Sequence, residues 1–171
     1  MKTRKTGLAL TISALVIVGS ALSGNALAAT ETGTLTVTAT VGGICSVGDQ
    51  TLAFGTVTVG AGNVDASAIV DAICTTGITG LVTFNDGLNK VATLRRMKHS
   101  VSADYIDYAL YSNSYTTQIP ADNGTTTAYT IVGSGVNQPF TVYGRIPTGT
   151  VTAQPTGSYT DSVTMTITYT P

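Results

Sequence analysis

An all-β domain, folded as a two-sheet antiparallel sandwich, is predicted by three observations. Thr supplies 33 of the 171 residues while only 10% are charged, a balance that suits β-strands and disfavours both helices and disorder. Short runs with period-two alternation recur at strand-like spacing, and no useful length of chain carries a helical period. Turn chemistry separates the runs, at Asn85-Asp86-Gly87, Asp122-Asn123-Gly124 and Pro147-Thr148-Gly149.

The elements follow in chain order. Residues 1–28 read as a secretory signal peptide: basic MKTRK, an apolar stretch from Leu8 to Val18, and the small-residue ending Ala26-Leu27-Ala28, with cleavage after Ala28. A membrane anchor is the other reading, but the apolar core is short and is broken by Thr11, Ser13, Gly19 and Ser20. The next run places Leu35, Val37, Ala39 and Val41 on one face and Thr34, Thr36, Thr38 and Thr40 on the other, the pattern of a strand with one apolar side. Gly42 and Gly43 then form a joint that bends without steric cost. Strands are predicted in TLAFGTVTV, VDASAIVDAIC, ITGLVTFN, YIDYALYS (Ile106, Tyr108 and Leu110 inward), TTTAYTIVG, PFTVYGRI and SVTMTITY. About seven strands at this spacing make the sandwich.

In the last run Val163, Met165, Ile167 and Tyr169 alternate with threonines. The edge of this strand is expected to be left uncovered, which is an aggregation hazard unless another segment pairs there. The alternating N-terminal segment is a candidate for that role. The residues alone permit two arrangements, an ordinary first strand of its own domain or a strand given to a neighbour.

Charge and residue inventory narrow the function. Without the leader, five basic residues face nine acidic ones, so no basic field attracts nucleic acid. One His and two Cys starve most metal-ligand sets and nucleophile-plus-base schemes, and no cofactor is expected. In an exported chain Cys45 and Cys74 read as a structural disulfide, a staple and not a redox site.

Other candidate features have plainer readings. Arg95, Arg96, Lys98 and His99 form the basic cluster of the mature chain, either a contact for an anionic surface or a solvated strand or loop, and the second is expected. His99 with a distant Ser and Asp lacks a nucleophile-elbow pattern. Tyr105, Tyr108, Tyr111 and Tyr115 could stack on sugar, but Tyr at alternating strand positions more often packs across strands. Asn123-Gly124-Thr125 matches a glycosylation acceptor, but a polar turn is the expected reading.

Taken together, GGICSV, RRM, YALYSN, YGRIPTGT and GSYTDSVTMTITYTP resemble the spore coat protein U family, which includes archaic, Csu-type chaperone-usher pilins. The resemblance spans essentially the whole mature chain. It implies an incomplete immunoglobulin-like β-sandwich of the pilin type, completed by donor-strand exchange. It further implies a periplasmic chaperone, an outer-membrane usher, and identical or related pilin subunits as partners. Leu35, Val37, Ala39 and Val41 would be the groove-filling donor residues, and Val163, Met165, Ile167 and Tyr169 the groove-edge strand.

The expected organisation is a signal peptide at 1–28, a donor strand and Gly joint at 29–43, and the sandwich domain at 44–171. The expected function is a structural subunit of a surface fibre for adhesion and biofilm formation, not an enzyme, exported to the periplasm and then to the cell surface. A secreted monomeric ligand-binding sandwich is the alternative from another class. A spore or cell-coat protein assembled by the same exchange is the related one.

Overall fold

The computed structural model describes residues 29–171, so the signal peptide expected at 1–28 lies outside the described residues. The chain divides into two units, at Met1–Ala39 and Thr40–Pro171. In the first, residues 29–39 take no strand, and Leu35 and Val37 are 86% and 81% exposed. The strand expected from the alternation is therefore not formed. Period-two patterning specifies which side chains share a face, but a strand exists only where its main chain finds a ladder partner.

The second unit holds eleven strands among the described residues: β1 (Cys45–Val47), β2 (Val64–Val70), β3 (Ala72–Cys74), β4 (Thr79–Phe84), β5 (Arg95–His99), β6 (Tyr105–Asn113), β7 (Thr117–Ile119), β8 (Tyr129–Val132), β9 (Phe140–Ile146), β10 (Tyr159–Thr160) and β11 (Met165–Tyr169). All named pairings are antiparallel. One sheet runs β10-β5-β6-β9-β2 with β7 also on β6, a second runs β11-β4-β8, and β1 pairs β3. The predicted all-β antiparallel class is the class observed.

Alternation sets the faces. In β9 the buried positions are Phe140, Val142, Gly144 and Ile146, and in β6 Ile106, Tyr108 and Leu110 point inward. From the smaller sheet Val82, Phe84 and Ile131 meet them, with Met165 and Ile167 packed alongside. Gly80 is required by close approach: a Cβ there would lie 2.6 Å from Ile167 Cδ1 and 2.9 Å from Cys74 Sγ. Cys45 and Cys74 sit opposite each other in the β1–β3 ladder and are joined by a disulfide.

Three expectations need correction. TLAFGTVTV is not a strand; residues 51–58 carry no secondary structure, and Leu52 and Phe54 instead pack over Gly144. VDASAIVDAIC is two strands, broken at Asp71. The basic cluster is a strand, β5, with Lys98 exposed and Arg96 half-buried, but Arg95 and His99 are buried and not solvated. Burial of Arg95 is possible because its guanidinium donates to the carbonyl oxygens of Asn85, Ile119 and Pro120, which replace the water it loses.

The disulfide closes a sequence separation of 29 residues, worth about 3 to 4 kcal/mol on the chain-entropy account. Replacing Cys45 and Cys74 together by alanine should lower the urea midpoint by that equivalent while preserving the β-sheet spectrum. An unchanged midpoint would contradict the staple role.

Candidate functional site

β11 bonds β4 in register from Met165↔Phe84 to Tyr169↔Gly80, and its other edge has no ladder partner among the described residues. Main-chain donors and acceptors on that side carry no ladder bond, although β1 runs close to β11. Along β11 Met165, Ile167 and Tyr169 are half-buried while Thr166 and Thr168 are exposed, so an added strand with the same alternation would continue the apolar layer.

Beside this edge lies a cleft of about 770 Å³. Its floor comes from the core of both sheets, including Val70, Phe84, Ile106, Leu110 and Val142, and Val163 and Met165 form the β11 side. The unpaired segment from Gln50 to Val57 forms part of the lining, with Leu52, Phe54 and Val57 half-buried. Phe54 meets Tyr108 edge-on, with ring centroids 6.3 Å apart. The floor residues themselves stay buried, none of the five more than 6% exposed, so the cleft enters between the sheets without laying the core bare.

Polar groups hold the rim. Tyr108 Oη donates to Asp161 Oδ2 at 2.6 Å, and Asp161 Oδ1 accepts from Leu88 N at 2.8 Å. Burial first, and the Asp161 carboxylate second, push the Tyr108 phenol well above its ordinary range, so it remains a donor. Burial lowers the proton affinity of Arg95, an effect opposed by the charges of Asp86, Asp122 and Asp161.

The sequence-predicted residues fall in different places. Val163 and Met165 line the cleft, whereas Ile167 and Tyr169 continue β11 beyond it. Leu35, Val37, Ala39 and Val41 are exposed. His99, Ser102 and Asp104 do meet, but Ser102 Oγ donates to Asp104 and His99 Nδ1 accepts from Ser102 N at 2.9 Å. Ser102 Oγ also lies 2.9 Å from His99 Nδ1, and these contacts, all within residues 99–104, close the β5–β6 turn.

The tyrosines pack. Arg96 lies 4.2 Å from the Tyr105 ring centre, Arg145 lies 4.4 Å from that of Tyr115, and Tyr115 meets Tyr111 and Tyr143 edge-on. Asn123 and Gly124 have φ of 60° and 77°, the left-handed geometry of a turn. Among the described residues no group of three or more His, Cys, Asp or Glu is placed to hold a metal. Sequence reading missed the roles of Leu52, Phe54, Asp161 and Asn85; only the Asp within GSYTDSV carried a visible signal.

The comparisons with known proteins define first a class of fold. A chain of the CsuC–CsuE chaperone–tip adhesion subunit pre-assembly complex, from archaic chaperone-usher Csu pili of Acinetobacter baumannii, is similar with a TM-score of 0.54 at 22% identity. The match covers 75% of this chain and 40% of that one, so this protein spans well under half of that neighbour's length. The fold is thus similar to that of a chaperone-usher pilus subunit. Residues 31–166 match the Spore Coat Protein U domain, and the chain is 37% identical over 158 residues to Protein U of Myxococcus xanthus, covering 83% of this chain and 87% of that protein. The chain belongs to the Spore Coat Protein U domain family.

Tyr108→Phe removes the donor to Asp161 without changing the ring. A hydrogen bond to a charged group of this burial is worth about 1.5 to 3 kcal/mol, so equilibrium urea unfolding should show a loss of that size. A wild-type midpoint would mean that the pair contributes nothing to the rim.

Proposed function

We propose that this protein is the structural subunit of an archaic chaperone-usher pilus and polymerises head-to-tail by donor-strand exchange. One observation carries the reading: an unpaired, half-apolar edge of β11 borders an open cleft into the core, in a chain whose exposed N-terminal segment alternates apolar residues with threonine. In this reading residues 1–28 are the signal peptide, 29–43 the donor strand and Gly joint, and 44–171 the accepting domain. Leu35, Val37, Ala39 and Val41 of one subunit enter the cleft of the next, beside the strand that carries Val163, Met165, Ile167 and Tyr169.

The physics of strand addition fits a durable fibre. Main-chain bonds along β11 give affinity, and alternate side chains in the cleft give register. Full burial of Leu35, Val37 and Val41 contributes about 5 to 8 kcal/mol before ordering costs. A donor on one face and an acceptor on another make a heterologous contact, which generates an open filament. A periplasmic chaperone would cover the cleft before an outer-membrane usher passes the subunit to the surface, where the fibre serves adhesion and biofilm formation. The role is structural, with no catalytic residue or cofactor.

The relationship to Protein U and the family's description favour a second reading, a spore or cell coat built by the same exchange. Immunogold labelling separates the two, as thin fibres leaving the cell or as a continuous coat.

Val37→Arg or Leu35→Asp should abolish polymer growth in vitro while leaving the disulfide-closed domain able to accept a wild-type strand. Polymers of wild-type length from either variant would remove the donor assignment.

A further inference from the structure

The β4–β11 ladder ends at Phe84↔Met165, and the structure shows what holds the chain just beyond it. Asn85 N donates to Thr164 O at 3.0 Å, and Thr164 N donates back to Asn85 Oδ1 at 2.8 Å. The same Oδ1 accepts from Gly87 N at 3.0 Å, which fixes the amide's orientation. Thr164 lies between Val163 and Met165, both of which line the cleft.

Asn85 is itself held. Its carbonyl oxygen accepts from Arg95 Nε at 3.1 Å and Nη2 at 2.7 Å, and Arg95 is 2% exposed. The guanidinium's other bonds go to Ile119 O and Pro120 O, each at 2.8 Å. A buried cation that spends its hydrogen bonds on three carbonyls, and none on a carboxylate, anchors main chain directly, while Asp86, Asp122 and Asp161 act on it only through space.

We propose that Asn85, braced by Arg95, is a positioning residue for strand capture: it keeps the first residues of β11 at the cleft while that strand's outer edge is still unpaired. The proposal rests on the donor-strand reading. A strand bonded on one side frays from its ends, and each residue that must be ordered on binding subtracts from affinity. Asn85 supplies that order in advance through side-chain bonds that survive whether or not a donor is present.

The test uses the full mature chain with Val37→Arg, whose own segment cannot donate, and a fluorescent peptide spanning residues 30–41. Binding and dissociation are followed by anisotropy, beside the thermal midpoint of each peptide-free protein. Asn85→Ala should weaken peptide binding about tenfold, mainly through faster dissociation, and Asn85→Asp, which keeps the acceptor, should stay within about threefold of the parent. A lowered thermal midpoint with unchanged peptide dissociation would make Asn85 a loop staple and overturn the proposal, as would equal losses for Ala and Asp. If Asn85→Ala does not yield a disulfide-closed monomer, Asn85→Ser, too short to reach Thr164, replaces it under the same criteria. Failure of the parent itself to bind the peptide overturns the donor-strand reading, and this proposal with it.

Discussion

The unbonded side of β11 is the constraint on which the rest of the structure depends. A strand with one side of its main chain unpaired and an apolar face beneath it is ordinarily blunted by charge, proline or a covering loop. Here the exposed positions are threonines, Thr166 and Thr168, and the adjoining cleft reaches Val70, Phe84 and Val142. The domain therefore keeps an unbonded strand edge whose first residues border a cleft between the sheets.

Two devices compensate for an incomplete core. The Cys45–Cys74 disulfide ties the short β1 to β3, a three-residue ladder with little stability of its own. At the other end of β11 a polar group is built from Arg95, Asn85, Tyr108 and Asp161, each satisfied by named partners. Polar clusters of this kind fix geometry where apolar packing cannot, since hydrogen bonds specify position more narrowly than area burial does. The rim of the cleft is thus held by hydrogen bonds and its floor by apolar packing.

Much of this was legible in the residues. The alternation in YIDYALYS put Ile106, Tyr108 and Leu110 inward, PFTVYGRI became β9 almost residue for residue, and all three predicted turns separate strands. TLAFGTVTV misled because its alternation is real while its ladder partner is absent, and the same physics leaves residues 29–39 without a strand. The burial of Arg95 is invisible in the sequence because its partners are carbonyls of Asn85, Ile119 and Pro120, and no composition rule reports where carbonyls will converge. The cleft is likewise a property of tertiary arrangement, and only the uncovered edge of the last strand hinted at it.

The most direct test of the central claim is electrophoresis without boiling, applied to mature protein and to a variant lacking residues 29–41, each co-expressed with its periplasmic chaperone and then released to exchange strands. The account predicts an SDS-resistant ladder from the mature protein and none from the shortened one. Stable monomers from both in the absence of any chaperone would mean that the domain is already complete, and would contradict it.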